Sequence, residues 1–260
     1  MSRPRKALGQ HFLRDPGILR RIAEALDPQP GETILEIGPG PGGLTSQLAG
    51  RGFHLIAIER DHDLVPGLRD RFPGVTIVEG DALEEDWHRL AAGPFAIIGN
   101  IPYNITSPLI DQALRPPRPR RIVYLVQKEV AQRLAAVPGG KEYGALTVGV
   151  QSVATVERLF RVPAGAFHPP PKVDSALIRL TPREVPLISD EEVAPFRRFV
   201  VGLFGFRRKQ VGRALRELTG WEAERAVQVI RRVGLIETSR METVAPGGFV
   251  ALFREVASVL

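Results

Sequence analysis

Asn100, Ile101, Pro102 and Tyr103 form a run of residues suited to chemistry on a flat heterocycle that carries an amine. The amide oxygen of Asn100 accepts hydrogen bonds, and Pro102 fixes its own φ angle and removes one competing N–H donor. Tyr103 adds a flat aromatic face. A nucleobase with an exocyclic amine needs such an acceptor and such a stacking surface. The run therefore indicates a nucleobase site.

The residues just before this run predict where it lies in the fold. Residues 95–98 form a short apolar run that predicts a buried strand, and Gly99 ends that strand. Asn100 would then follow the carboxyl end of the strand, where open α/β sheets bind their ligands. We therefore expect the nucleobase site at that edge of a sheet.

Three other predicted strands also end in residues that suit a nucleoside. Residues 33–37 lead into a glycine-rich turn at residues 38–43, which opens a helix and lets backbone N–H groups approach a ligand. Glu59 ends a second strand 21 residues after Gly38, where an acid accepts from ribose hydroxyls. Asp81 follows a third strand and would hold the amine of an adenine. The glycine pattern alone also fits a nicotinamide-dependent dehydrogenase or an ordinary turn, but all the strand ends together predict a nucleoside-containing cofactor.

The rest of the chain predicts an α/β fold with a small all-helical domain at its C-terminal end. Further strands are predicted at apolar runs near residues 122–126, 153–162 and 175–180. Residues 190–260 show only helical periodicity. We therefore expect two domains, residues 1–182 and residues 183–260.

A proline-rich segment precedes the last predicted strand. Residues 167–175 contain three consecutive prolines, which impose a stiff extended geometry. One interpretation is that this geometry holds Phe167 and His168 above the ligand edge of the sheet. The other is a rigid linker between strands, with Phe167 in the core, and the pattern fits both.

Composition and charge narrow the class of protein. The formal net charge is +6, although residues 31–110 hold eleven acidic and five basic residues. The positive excess therefore lies outside the predicted sheet core and favours a polyanionic partner. The chain has no cysteine, and its five histidines lack metal-type spacing, so we expect no disulfide and no metal site. No apolar run reaches membrane-spanning length and no signal peptide begins the chain, so we expect a cytoplasmic protein with no membrane partner.

Three basic clusters are candidates for contacts with such a partner. The first is an N-terminal arm that includes Arg5 and Lys6. The second is the loop at residues 115–121, whose four arginines fit a solvated turn and a phosphate contact equally well. The third comprises Arg207, Arg208, Lys209, Arg213 and Arg216, of which the last three are predicted to share one face of a helix.

Taken together, these motifs resemble those of the ribosomal RNA adenine N6-dimethyltransferases, the KsgA/Dim family. The similarity spans essentially the whole chain. Its motifs are GQHFL at residues 9–13, EIGPG at 36–40, Glu59, GDA at 80–82, NIPYN at 100–104, QKEV at 127–130 and FHPPPKVDS at 167–175. The pairing of NIPY with the last motif favours methylation of an amine over hydride transfer.

The resemblance implies a Rossmann-like, class I S-adenosylmethionine-dependent methyltransferase sheet and S-adenosylmethionine as the cofactor. The residues implied to bind it are His11, Leu13, Gly38, Gly40, Glu59, Asp81 and Asn100. The residues implied to act on the target base are Asn100, Ile101, Pro102, Tyr103 and Phe167. Two positions depart from the usual family pattern, because Asn is common where His11 stands and Leu is common where Ile101 stands.

The resemblance also implies the reaction and its partner. The reaction would be N6,N6-dimethylation of two adjacent adenosines in a hairpin loop near the 3′ end of 16S ribosomal RNA. The partner would be an immature small ribosomal subunit, and the enzyme would act as a monomer. The alternatives are an Erm-like methyltransferase of large-subunit (23S) RNA, a mainly non-catalytic assembly factor and a family-derived transcription factor. The complete set of implied cofactor residues speaks against the assembly factor, and the intact run at residues 100–103 speaks against the transcription factor.

Overall fold

The computed structural model describes residue 5 and residues 9–91 and 93–258. The strands are β1 (Phe12–Leu13), β2 (Thr33–Ile37), β3 (His54–Glu59), β4 (Thr76–Glu79), β5 (Phe95–Asn100), β6 (Arg121–Gln127), β7 (Ala154–Val162), β8 (Phe167–His168) and β9 (Ser175–Pro182). The helices are α1 (Pro16–Leu26), α2 (Thr45–Leu48), α3 (Val65–Arg71), α4 (Trp87–Leu90), α5 (Thr106–Ala113), α6 (Lys128–Leu134), α7 (Ala145–Gln151), α8 (Val193–Gly205), α9 (Val211–Thr219), α10 (Ala223–Arg232) and α11 (Pro246–Ala257). None of these helices is long and apolar enough to cross a membrane.

Seven of the strands form one mixed sheet in the order β4-β3-β2-β5-β6-β9-β7. Strands β2 to β6 are parallel to one another along the sheet, and β9 runs antiparallel to β6. Helices connect the parallel strands, as right-handed βαβ crossovers require. This arrangement confirms the predicted α/β class and brings the carboxyl ends of five strands to one edge.

The central strands are buried on both faces, which explains their nearly continuous apolar runs. Ile34, Ile97 and Val123 are completely buried in neighbouring strands. Helix α1 packs on one face of the sheet and begins as predicted, with Asp15 accepting a hydrogen bond from the Ile18 amide and Pro16 in the first turn.

A second pair of strands lies outside the large sheet. Strand β1 pairs with β8 in antiparallel fashion, with Phe12 opposite His168 and Leu13 opposite Phe167. This pairing ties the N-terminal arm to the proline-rich segment. It therefore brings two motifs that are far apart in sequence to the same part of the fold.

The chain forms two compact units, one of residues 1–131 and 156–182 and the other of residues 132–155 and 183–260. The sequence predicts a single boundary, between residues 182 and 183. The contacts place one boundary there and group residues 132–155 with the C-terminal helices, because α7 packs against α8 and α11.

The second unit is built around aromatic packing between its helices. Phe196 and Phe253 meet edge to face with ring centroids 5.6 Å apart, and Phe204 stacks on Phe249 at 5.5 Å. The buried hydroxyl of Tyr143 donates to the Val244 carbonyl at 2.8 Å. These contacts give the helical unit a core of its own.

Candidate active site

A cavity opens at the carboxyl edge of the parallel strands. Including its open mouth, its atom-free volume is about 890 Å³, a size that suits a small-molecule site. Its lining comes from the N-terminal arm and from the residues that follow β2, β3, β4 and β5, namely residues 9–12, 37, 38, 40, 58–60, 80–82 and 100–105. The predicted ligand edge is therefore the edge that carries the cavity.

The glycine-rich turn after β2 forms one wall of this cavity. Gly38 and Gly40 have φ angles of 65° and 57°, which residues with a Cβ rarely adopt. A Cβ placed on Gly38 would meet no protein atom within 4 Å, whereas a Cβ on Gly40 would lie 3.0 Å from the ring of Phe12. Gly38 therefore leaves room for a ligand against the backbone, and Gly40 lets the N-terminal arm approach.

Glu59 holds this turn in place at the end of β3. Its carboxylate accepts from the Gly40 amide at 2.9 Å and from the Asp61 amide at 2.7 Å. The side chain is buried, and this burial raises the pKa of Glu59 above its usual range. Each carboxylate oxygen has one amide donor, so further lone pairs remain for a hydroxyl in the cavity.

Asp81 supplies a second carboxylate beyond β4. One of its oxygens accepts from the Leu83 amide at 2.9 Å, which fixes the loop. The other pairs with Arg60, which also lines the cavity, at 3.0 Å. The carboxylate thus stands at the wall in a fixed orientation.

The Asn100 amide group is oriented by the N-terminal arm. Its Nδ2 donates to the backbone carbonyl of His11 at 2.8 Å, so its oxygen is the atom left to accept a hydrogen bond. Predicted cofactor residue His11 and predicted base-binding residue Asn100 are therefore in direct contact.

The backbone carbonyls of Ile101 and Pro102 differ in the hydrogen bonds that they accept. The Pro102 carbonyl accepts from the Ile105 amide and from the Thr106 hydroxyl, both at 3.2 Å. Within the described residues, no hydrogen bond reaches the Ile101 carbonyl. The Ile101 carbonyl is therefore the more available acceptor.

Two contacts hold Tyr103, one to its hydroxyl and one to the face of its ring. Its hydroxyl lies 2.8 Å from the Ser175 hydroxyl, and its ring stacks with His11 at a centroid distance of 5.9 Å. Burial raises the pKa of Tyr103, so the phenol stays neutral at physiological pH. The His11 ring is fixed in turn by a 2.8 Å contact between Nδ1 and the Pro169 carbonyl.

Two predicted site residues do not line the cavity. Leu13 and Phe167 face each other across the β1–β8 pair and lie in the same hydrophobic core cluster, with exposures of 7% and 4%. The core interpretation of Phe167 therefore describes its position in this structure. Prolines stiffen the segment as predicted, but the pairing of β8 with β1 turns Phe167 inward.

The structure adds cavity residues that the sequence does not predict. Gln10 and Phe12 line the cavity, and Gln10 donates to Asp61 at 2.8 Å. Both lie within the GQHFL motif, in which the resemblance implies only His11 and Leu13 as cofactor residues. No local signal favours Phe12 over Leu13, because alternation along a strand would put Leu13 rather than Phe12 on the same side as His11.

The predicted RNA-binding residues have mixed surroundings. Lys6 lies outside the described residues. Arg5 pairs with Asp61 and Asp63, so its charge is compensated within the protein. Arg207 and Arg208 are exposed, and Lys209 and Arg213 both pair with Glu217.

One expectation about the basic clusters is wrong, and the position of the arginine-rich loop favours one of its two interpretations. Lys209 lies in the turn before α9, so it cannot share a helical face with Arg213 and Arg216. The loop at residues 115–121 precedes β6 and therefore lies at the amino edge of the sheet, away from the cavity. Arg120 and Arg121 of that loop pair with Glu32 and Asp27, which favours a structural role.

The residues around the cavity suit S-adenosylmethionine. Glu59 and Asp81 offer carboxylates for hydroxyl and amine groups, and Gly38 leaves its backbone open to a ligand. Asn100 lines the same cavity, and its amide oxygen is left to accept because its Nδ2 donates to His11. A nucleoside-containing methyl donor and an amine substrate would thus meet at Asn100.

Comparisons with known proteins agree with this chemistry. A family model described as ribosomal RNA adenine dimethylase matches residues 1–258. The protein named ribosomal RNA small subunit methyltransferase A is 44% identical over 218 residues in Aromatoleum aromaticum, which covers 83% of this chain and 82% of the relative. The protein of the same name in Geobacter metallireducens is 41% identical and covers 99% of this chain and 97% of the relative.

Solved structures show the same relationship. A dimethyladenosine transferase from Plasmodium falciparum has a TM-score of 0.82 and 25% identity, with 95% of this chain and 98% of that chain covered. The 23S rRNA methyltransferase ErmE has a TM-score of 0.74 and 30% identity, with 95% and 99% covered. The sheet is thus that of the class I methyltransferases. The chain belongs to the ribosomal RNA adenine dimethylase family and is an S-adenosylmethionine-dependent enzyme that dimethylates adenine in ribosomal RNA.

Proposed function

We propose that this enzyme dimethylates N6 of two adjacent adenosines in a hairpin loop near the 3′ end of 16S ribosomal RNA. The observation that carries this proposal is the 40–44% identity to several curated proteins named ribosomal RNA small subunit methyltransferase A. We further propose that it acts as a monomer on an immature small subunit in the cytoplasm. Modification would then be linked to small-subunit biogenesis.

The large-subunit alternative is less well supported. ErmE shares the fold and 30% of the sequence, which is lower than the identity to the small-subunit proteins. Three motifs also resemble the small-subunit branch more closely, QKEV at residues 127–130, KEYG at 141–144 and FRRK at 206–209. The proposal therefore stays with the small subunit.

The Asn100 oxygen and the Ile101 carbonyl are the two acceptors we assign to the target amine. The N6 lone pair of adenine is delocalised into the ring, which makes the amine a weak nucleophile. Two acceptors on its two N–H bonds would draw the nitrogen toward tetrahedral geometry and aim its lone pair at the methyl group. Positioning of this kind supplies most of the rate enhancement when no strong base is needed.

The carboxylates and the glycine turn would hold the methyl donor. We assign Glu59 to the ribose hydroxyls, Asp81 to the adenine amine, and Gly38 and Gly40 to the backbone side of the donor, with Gly38 at its methionine part. S-adenosylmethionine supplies the methyl group from a sulfonium, which departs as a neutral thioether. His11 would line the same pocket while it orients Asn100 through its backbone carbonyl.

Tyr103 would stack on the extruded base. Its ring lines the cavity, and the hydrogen bond to Ser175 fixes its orientation. Phe167 would need to leave its core position to reach the other face of the base. After each transfer the methylated nitrogen loses a proton to water. A second transfer requires slack around N6, because one N–H has then been replaced by a methyl group.

The helical unit would bind RNA outside the target loop. Arg207 and Arg208 are exposed in the turn after α8, beside Lys209 and Arg213. Charge reversal at Arg207 and Arg208 should weaken RNA binding and flatten its dependence on salt. A salt dependence equal to that of the unaltered enzyme would remove this turn from the RNA footprint.

Methyl transfer to purified ribosomal subunits tests the proposal. Labelled S-adenosylmethionine is incubated with unmodified small and large subunits, and the labelled RNA fragment is analysed by mass. Dimethyladenosine in the 3′ hairpin of the small subunit is the expected result. Label in the large subunit would overturn the assignment in favour of the alternative, and tight small-subunit binding without label would favour an assembly role.

A further inference from the structure

Exposed arginines without acidic partners lie on helix α1, just before that helix, and on the edge strand β7. Arg14, Arg21 and Arg158 are exposed, and we call them the α1–β7 arginine strip. No salt bridge joins any of them to another residue in the part of the chain that the structure describes. Three uncompensated positive charges therefore lie on this side of the sheet unit.

Two contacts join the segment around α1 to β7 and the residues that follow it. The guanidinium of Arg21 lies 3.9 Å from the ring centroid of Phe160 on β7. Arg158 lies two residues before Phe160 on that strand, so both side chains face the same side. The Arg14 amide donates to the Ala166 carbonyl at 3.0 Å, which fixes the start of α1 beside the segment that follows β7.

The strip begins next to the mouth of the cavity. Residues 9–12 line the cavity, and Arg14 follows them directly after β1. From there α1 runs along the sheet toward its amino edge, where Asp27 pairs with Arg121. A strand of nucleic acid that delivers one base to the cavity would therefore have a continuous path across Arg14 and Arg21.

Neighbouring arginines show what a purely structural role looks like. Arg179 makes a two-pronged pair with Glu157, with distances of 3.0 and 2.7 Å, and Arg161 pairs with Asp174. Arg21 instead rests on an aromatic ring, which holds the guanidinium in place without using its N–H donors. A group held this way is ordered and still free to bind an anion.

We propose that the α1–β7 arginine strip binds the phosphodiester backbone of the ribosomal RNA substrate outside the target loop. Arginines that meet no acid within the protein match the phosphates of a polyanion, and the enzyme acts on ribosomal RNA. Charged residues also protect an exposed edge strand from pairing with another chain. Edge protection does not call for Arg14, which lies outside β7, or for a guanidinium ordered on Phe160.

The test is a double charge reversal, Arg21→Glu with Arg158→Glu, in the full-length enzyme. Binding to unmodified small ribosomal subunits is measured over a range of salt concentrations. We expect at least a tenfold loss of affinity near physiological salt. We also expect a slope of log affinity against log salt that is shallower by about 1.5, as for two lost phosphate contacts.

The matched control is Arg51→Glu. Arg51 is also exposed, but it precedes β3 at the amino edge, several strands away from β7. Its reversal should leave affinity within twofold and the slope unchanged. The single variants Arg21→Gln and Arg158→Gln remove one charge each without adding a negative one, and each should lower the slope by about half as much.

Cofactor binding and methylation by the unaltered enzyme separate this inference from the proposed function on which it rests. All variants should bind S-adenosylmethionine like the unaltered enzyme, because the strip lies outside the cavity. If the double variant has the same affinity and the same salt dependence of affinity as Arg51→Glu, the proposal that the strip binds RNA is wrong. Failure of the unaltered enzyme to label small subunits would instead overturn the small-subunit assignment. The role of the strip would then be tested by measuring how the same variants bind large-subunit RNA.

Discussion

Glu32 directly precedes strand β2 and Glu36 lies near its carboxyl end, and the two glutamates have opposite surroundings. At the amino end, Glu32 accepts two hydrogen bonds from Arg120, at 2.8 and 2.9 Å. At the carboxyl end, Glu36 is 1% exposed, and its Oε2 has no hydrogen-bond partner among the described residues. The two carboxyl groups thus differ in the edge of the sheet at which they lie, in their burial and in their partners.

The pKa shifts of the two groups follow this difference. Burial acts to raise the pKa of Glu32, but the hydrogen bond and charge of Arg120 outweigh it and the pKa is lowered. Burial raises the pKa of Glu36 to about 7, and the nearby charge of Glu59 acts in the same direction. The amino end of β2 therefore uses an ion pair to stabilise the fold, whereas its carboxyl end keeps a buried acid without a cation at a cost in stability.

Asn100→Ala should cause the largest effect, because it removes an acceptor from the ligand edge where the chemistry is proposed. We expect methyl transfer to fall by about 100-fold or more, as when one preorganised group that stabilises a transition state is lost. The affinity for S-adenosylmethionine should change by less than about threefold. Single-turnover rates and calorimetric binding measure the two quantities. A defect mainly in cofactor affinity would contradict the assignment of Asn100 to the target base.

Glu36→Gln tests the carboxyl end of β2 directly. Since the folded-state pKa of Glu36 is about 7 and its ordinary value is 4.5, the unfolded chain releases this proton first as pH rises. Stability of the unaltered enzyme should therefore fall between about pH 5 and pH 8, by roughly 3 kcal/mol from this group. The variant should lose the part of this pH dependence of stability that is due to Glu36. It should keep the part due to Glu59, whose pKa is also raised.

Urea unfolding at several pH values checks the Glu36 prediction. The quantity to compare is the change in the free energy of unfolding with pH. The absolute stabilities differ in any case, because a buried amide that lacks a partner lowers the stability of the variant at every pH. Stability curves of the two proteins that run parallel from pH 5 to pH 8 would contradict the raised pKa.

Glu59→Gln should weaken cofactor binding by about 10- to 100-fold. Both carboxylate oxygens accept from backbone amides, so a glutamine must place its NH₂ group against one of two N–H donors. This mismatch should also lower the free energy of unfolding by about 1–3 kcal/mol. The control is Glu79→Gln, since Glu79 lies beside Glu59 in the register of β3 and β4 but is exposed. Equal cofactor affinity in the two variants would refute the role of Glu59.

Strand ends were the most predictable part of the site, because local sequence defines them. Apolar runs and glycines placed Glu59, Asp81 and Asn100 at successive strand ends, and the parallel pairing brings them to one cavity. Contacts between distant segments were not predictable in this way. The β1–β8 pairing turns Leu13 and Phe167 into the core, and nothing near either residue in the sequence specifies that pairing.

The arginine clusters show the same limit. The loop at residues 115–121 holds four arginines, and the sequence does not indicate which of them pairs with an acid. Arg120 pairs with Glu32, which lies 88 positions away in the sequence. Arg21 and Phe160 likewise meet only because α1 packs beside β7. Charge density in the sequence therefore identified basic segments, whereas the compensation of each charge depended on the tertiary structure.

Arg120→Ala should have the smallest effect and should spare the chemistry. It removes a two-pronged, partly exposed ion pair at the amino edge, so we expect a loss of about 1 kcal/mol in stability and methyl transfer within twofold of the unaltered enzyme. Because the pKa of Glu32 is lowered in the folded state, the pair stabilises above the ordinary value of 4.5 and this contribution is lost as pH falls below it. Denaturant unfolding at pH 7 and pH 3 should therefore show a gap between the two proteins that closes at low pH. A drop in methyl transfer without a drop in stability would mean that the amino edge takes part in function, and the contrast between the two ends of β2 would fail.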